Sequence, residues 1–186
     1  MKKGLILGLA LLFSMGLFAQ SSSFSIMPGY QFSSGEAEDG FVVGADYVYY
    51  FTDGIGLHIG YTYNEGNFEY DGYIPYFGHY TFEFDNDFNI IEVGPEFVGD
   101  LGSGGQIYGQ LNAGMTFGGS DFHVYIPYYG NYHADWDNEW TLGAALGYRY
   151  FFNDSVGIAL QGTYHYIDNW EADNFWDARV GITFKF

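Results

Sequence analysis

The C-terminal stretch Trp176-Asp-Ala-Arg-Val-Gly-Ile-Thr-Phe-Lys-Phe186 decides the fold. Trp176, Ala178, Val180, Ile182, Phe184 and Phe186 share one parity, and Asp177, Arg179 and Lys185 fall on the other. Successive side chains of a strand point to opposite faces, so this segment has one wholly apolar face and one charged face. Such a strand suits a wall between hydrocarbon and a packed or wet interior.

Working outward, seven more stretches repeat the pattern, with apolar parities running over residues 24–32, 41–51, 55–63, 91–97, 107–117, 142–150 and 156–166. None of the eight faces carries a charge. A charged side chain at a bilayer midplane costs about 2–4 kcal/mol, so this purity is what lipid imposes. A soluble β-sandwich would instead show charged residues on its solvent face. The opposite parity is small or polar: Asp46, His58, Glu92, Glu96, Gln110, Asn112, Arg149, Gln161, His165, Asp177, Arg179 and Lys185, with many glycines between. Eight strands enclose an interior only wide enough for side chains. Arg149 and Arg179 are therefore expected to pair inside with Glu92, Glu96, Asp46 or Asp177 as an ion-pair network, with a proton or narrow ion path as the alternative use of these charges. Pro28 and Pro95 lack an N–H and a closed barrel has no edge strand, which predicts a bulge or a strand end at each.

At the N-terminus Lys2 and Lys3 precede an apolar run from Leu5 to Phe18, followed by Ala19-Gln20-Ser21. A basic start, a short apolar run and a small residue at the cut describe a secretory signal peptide over residues 1–19, leaving 20–186 as one barrel domain. The remaining chain then carries 3 basic against 23 acidic residues, a charge of −20. That acidity repels nucleic acid and anionic surfaces. With no cysteine there is neither a lipid anchor nor a disulfide framework. Phe, Tyr and Trp make up 23% of the sequence, an excess that two aromatic belts at the membrane interfaces would use.

The connections alternate in length. Thr52-Asp53-Gly54, Gly99 to Gly105 and Asn153-Asp154-Ser155 read as tight turns, whereas 33–40, 64–87, 118–139 and 167–175 read as longer acidic loops. The predicted fold is an all-β, eight-stranded, antiparallel up-and-down transmembrane barrel with short periplasmic turns and longer extracellular hairpins. The segment Tyr49-Tyr50-Phe51-Thr52-Asp53-Gly54-Ile55-Gly56-Leu57 and the terminal Thr183-Phe184-Lys185-Phe186 resemble the small outer-membrane barrels of the OmpA and OmpX type. The signal ending Phe18-Ala19-Gln20 is similar to those of the Bacteroidota. The resemblance implies an integral protein of the bacterial outer membrane. It also implies contact with outer-membrane lipid and lipopolysaccharide, and insertion by the barrel-assembly machinery with Phe186 as the C-terminal assembly signal.

A repeat is more specific than the barrel. Tyr73-Ile-Pro-Tyr-Phe-Gly-His-Tyr80 recurs 52 residues on as Tyr125-Ile-Pro-Tyr-Tyr-Gly-Asn-Tyr132, and Phe84-Asp-Asn-Asp-Phe88 recurs at the same offset as Trp136-Asp-Asn-Glu-Trp140. The second and third outer hairpins thus read as copies of one unit. Pro75 to Gly78 and Pro127 to Gly130 fit hairpin tips. Around them Tyr73, Tyr76, Phe77, Tyr80, Tyr125, Tyr128, Tyr129 and Tyr132 are candidate contacts for an extracellular glycan or protein. Asp85, Asp87, Asp137, Glu139, Asp168, Glu171 and Asp173 beside them are oxygen ligands suited to divalent cations, or simply solvated. No serine, histidine and acid fall into a recognisable hydrolase pattern, and His79, His123 and His133 match no metal-ligand spacing. The reading is a non-enzymatic, monomeric barrel without cofactor, structural or surface-binding. A lipid A-modifying enzyme and a narrow ion or small-solute channel stand as alternatives.

Overall fold

The computed structural model describes residues 21–33, 39–74, 78–126, 130–132, 138–167 and 174–186, with side chains for 21–32, 39–65, 88–118, 138–167 and 174–186. Nine antiparallel strands are described: β1 (Ser21–Ser33), β2 (Gly40–Thr52), β3 (Ile55–Ile74), β4 (Gly78–Gly102), β5 (Gly105–Ile126), β6 (Gly130–Tyr132), β7 (Glu139–Phe151), β8 (Val156–Ile167) and β9 (Asn174–Lys185). Each stave pairs with its neighbours in sequence, and β1 pairs with β9, so the sheet closes into an eight-stranded barrel. The short β6 pairs with the far end of β5 and belongs to a hairpin standing beyond the wall.

Parity decides which way each side chain looks. Ile26, Phe41, Leu57, Val93, Leu111, Leu146, Leu160 and Val180 are exposed on the outside, while Asp46, His58, Glu92, Glu96, Arg149, His165, Asp177 and Arg179 are buried within. Tyr47 has the outward parity yet is covered by its neighbours. Aromatic pairs bracket the aliphatic band: Tyr49–Phe51 and Tyr150–Phe152 at the end of the short turns, Tyr30–Phe32 and Tyr164–Trp176 at the other. Ring edges with an apolar body and a wet hydroxyl suit the two interfaces of a membrane.

The short turns are closed by side chains. Thr52 Oγ1 accepts from the Ile55 N–H at 3.1 Å, Asp100 Oδ1 from Gly102 at 2.7 Å, and Asn153 Oδ1 from Ser155 at 2.9 Å and Val156 at 2.8 Å. Residues 102–104 all have positive φ, and Ser103, at 54°, is the single non-glycine there.

The two prolines contradict the expected bulge or strand end. Pro28 lies opposite Val43 and Pro95 opposite Leu57 within unbroken ladders on one side. On the other side the ladder lapses between Ile26↔Ile182 and Gly29↔Arg179, and between Val93↔Ala113 and Glu96↔Gln110, without a shift of register. The missing N–H is accommodated by adjacent glycine. A Cβ on Gly29 would stand 2.2 Å from the Ala178 carbonyl and one on Gly94 would stand 1.8 Å from that of Leu111. The strands approach each other too closely there for any side chain.

Candidate functional site

Two places collect the polar and aromatic residues singled out in the sequence: the barrel interior and the projecting hairpins. In the interior, inward parity brings Glu96 of β4, Gln110 of β5, Arg149 of β7 and Tyr50 of β2 together. Arg149 donates from Nη1 to Glu96 Oε1 and from Nη2 to Oε2, both at 2.7 Å. This two-pronged pair matches the planar fork of guanidinium to carboxylate. Tyr50 receives a bond from Arg149 Nη1 at 2.7 Å and donates to Glu96 Oε1 at 2.8 Å, while Gln110 Nε2 donates to Oε2 at 2.7 Å. The guanidinium lies 3.8 Å over the ring of Tyr108, whose hydroxyl donates to Gln161 Oε1 at 2.8 Å. Gly147 leaves room for that ring, because a Cβ there would stand 2.2 Å from its Cζ.

A second group centres on Arg179. Its Nε donates to Asp177 Oδ1 at 2.8 Å and its Nη2 to Thr163 at 2.6 Å, and Nη1 reaches across the interior to Thr62 at 3.3 Å. Asp177 Oδ2 faces His165 Nε2 at 3.1 Å, and that imidazole stacks on Phe175 with centroids 4.6 Å apart. His58 sets Nε2 2.9 Å from Asp46 Oδ1 and Nδ1 3.0 Å from Asn112 Oδ1. Asp46 is thus engaged by a histidine rather than an arginine. Glu92 hydrogen-bonds neither arginine, and its Oε2 lies 3.8 Å from His165 Nδ1. Charge of this density inside a narrow barrel ties opposite walls together and fills the bore.

Gln161, placed on the inner face by its parity, joins this network together with Tyr50, Tyr108 and Thr163, which were not singled out in the sequence. Their inward parity was the available signal. Lys185, at the mouth beside the short turns, lies 5.9 Å over the Phe151 ring. Phe186 continues the wall: its N–H donates to Ser22 O at 2.9 Å and its carbonyl accepts from Ser22 N at 3.1 Å.

For the hairpins the backbone is informative. Stretches read as loops, 64–87 and 118–139, are largely strand: β3 and β4 stay paired to Ile74↔Gly78, and β5 pairs with β6 to Ile126↔Gly130. The two copies share one register, since Tyr73↔His79 matches Tyr125↔Asn131 and Gly72↔Tyr80 matches Val124↔Tyr132. They are also joined sideways, β4 to β5, from Thr81↔Tyr125 through Asp87↔Gly119. A single four-stranded sheet, β3-β4-β5-β6, therefore carries both copies beyond the barrel. Of the candidate contact residues, Tyr73, Tyr80, Tyr125 and Tyr132 lie on its strands. Tyr76, Phe77, Tyr128 and Tyr129 fall outside the described residues, as do Asp137, Asp168, Glu171, Asp173 and His133. Among the described residues no group of three or more histidine and acidic side chains is arranged to hold a metal ion.

The closed sheet, the outward apolar band and the polar interior leave one architecture. The fold is that of the small outer-membrane β-barrels. Ail, the attachment invasion locus protein of Yersinia pestis, superposes with a TM-score of 0.61 at 15% identity over 90% of this chain and 99% of that one. Neisserial surface protein A gives 0.58 at 16% identity over 89% and 96%. The N-terminal barrel domain of Pseudomonas aeruginosa OprF gives 0.55 at 15% over 90% and 98%. Ail has also been crystallised with the heparin analogue sucrose octasulfate. No protein-family model matches the sequence, and no curated protein sequence matches it.

Proposed function

We propose that this chain is an integral outer-membrane protein whose barrel holds up a surface-binding sheet, made of two copies of one aromatic hairpin, for contact with an extracellular partner. The observation that carries this reading is the shared register of the two hairpins and their lateral pairing into one sheet. Tyr73 and Tyr125, which open the two copies of Tyr-Ile-Pro-Tyr, lie on strands of this one sheet, so the repeat carries one contact chemistry twice, and rigid tyrosines give large contact area at low entropic cost. The charge selects the partner. With 23 acidic residues in the chain, and Asp85, Asp87 and Asp121 in the hairpin strands, a polysulfated ligand such as that seen with Ail is repelled. The surface suits a glycan or protein without net negative charge.

The test replaces Tyr76, Phe77, Tyr128 and Tyr129 together with Ser and measures adhesion of expressing cells to immobilised neutral glycans and to host-type extracellular proteins. Loss of binding, with the barrel still running as a compact band on an unheated gel, is the expected outcome. Undiminished binding to every partner that the parent holds would overturn the reading. Mass spectrometry of lipid A from the same cells examines the enzymatic alternative, which requires a modified lipid that disappears with the gene.

A further inference from the structure

The outward wall carries large apolar side chains along most of its area, and small residues meet at one place on it. Gly109 of β5 and Gly162 of β8 both lie opposite Leu146 of β7, one on each side. Ala144, two residues along β7, faces the same way. With Leu146, Tyr164 and Trp176 standing around them, these three small residues form the floor of an open groove of about 670 Å³. Leu146 rises between the two glycines and is 73% exposed.

The barrel does not require glycine at these positions. A Cβ on Gly94 or Gly181 would lie 1.8 or 1.9 Å from a backbone oxygen of the next strand, so the close approach of strands dictates those residues. At Gly109 the nearest atom is the flexible Leu146 Cδ2 at 3.4 Å, and at Gly162 it is the Asp177 carbonyl at 3.8 Å. Neither has the positive φ that excludes a side chain. Glycine inside a strand weakens it, and an unfilled groove forfeits dispersion contacts along its whole lining. Something must occupy the space.

The groove is continuous with the apolar band between the two aromatic belts, where the surroundings are hydrocarbon and water is absent. Leu146 is 73% exposed, so a stiff, convex wall such as that of a second barrel would have to clear it before reaching the glycine floor. A flexible chain reaches it. We propose that this groove seats one acyl chain of a membrane lipid and keeps that lipid beside the barrel, an inference that rests on the membrane reading above. The chain would lie along the glycine floor against Leu146, and the rings of Tyr164 and Trp176, 4.7 Å apart and tilted to each other, would flank it toward the interface.

The test is native mass spectrometry of the full barrel refolded in detergent and titrated with dipalmitoyl phosphatidylethanolamine. The parent is expected to keep one lipid as the micelle is stripped, and Gly109→Leu/Gly162→Leu to bind it about tenfold more weakly. Ala45→Leu, which enlarges an outward residue on β2 away from the groove, should bind as the parent does. Should the double variant fail to fold, Gly162→Leu alone serves, since its added Cβ meets only ordinary contacts. Equal retention by parent and filled variant overturns the proposal. So does a parent that is dimeric where the filled variant is monomeric, which would make the groove an interface between copies. A compact unheated band for every variant separates these outcomes from a failure of the barrel itself.

Discussion

Arg149 and Glu96 are each 1% exposed or less and hold each other through two hydrogen bonds, with Tyr50 and Gln110 satisfying the remaining valences of the carboxylate. Removing one partner strands the other in a medium that solvates it poorly. Arg149→Ala is expected to destabilise the barrel by about 3–5 kcal/mol, read as a lower temperature of the heat-induced gel shift and a lower urea midpoint. An unchanged transition would mean that the pair contributes nothing net. Glu92 makes the opposite prediction. It is equally buried, yet neither of its oxygens has a hydrogen-bond partner. Glu92→Gln removes a poorly compensated charge and should leave the transition where it was or raise it. A clear fall would show that the 3.8 Å approach to His165 supports the fold. Parity in the sequence was enough to place every charged residue of the apolar band on the inner face. It did not say which acid meets which base, because partners such as Glu96 and Arg149 lie on strands β4 and β7 and meet only once the barrel has closed. Nor did it show that Asp46 goes to His58, twelve residues away and one strand over.

Strands carry their own test at the proline-glycine steps. Gly94→Ala would drive a Cβ into the Leu111 carbonyl, 1.8 Å away, and is expected to prevent closure of β4 on β5 and abolish the compact unheated band. Gly54→Ala, in the first short turn, meets only the Val98 carbonyl at 3.4 Å and should fold normally. Equal folding of both would show that the wall relaxes easily at Gly94. The alternation of apolar and polar residues made the staves readable, since lipid on one side and a packed interior on the other leave no freedom in parity. Proline misled, because a lost N–H suggests an interrupted strand. In Pro28-Gly29 and Gly94-Pro95 the neighbouring glycine lets the chain draw close and the register survives. That the repeated hairpins project beyond the membrane followed from their length, but that 64–74 and 78–87 continue as paired strand rather than loop did not. The far halves of β3, β4 and β5 are acidic and aromatic without a clean apolar face, and they are held by pairing between hairpins rather than by lipid.

At the scale of the molecule, a plugged, cross-tied barrel fixes the base of a sheet that stands clear of the membrane. The duplication was legible as two sequences at one offset, and copies in consecutive outer hairpins were expected to lie close enough to form one surface. The β4–β5 backbone pairing that joins them was not legible, because neither repeated sequence names its partner strand. Surface binding requires the sheet to face outward from the cell and the short turns to face the periplasm. The chain has no cysteine, so single cysteines can be placed at will and labelled on intact cells with a membrane-impermeant maleimide. Tyr76→Cys and Tyr128→Cys, in the two repeated Tyr-Ile-Pro-Tyr sequences, should react on whole cells, and Asp53→Cys and Asn153→Cys, in the short turns, only after the outer membrane is opened. Labelling of the short turns on intact cells while positions 76 and 128 stay protected would contradict the account.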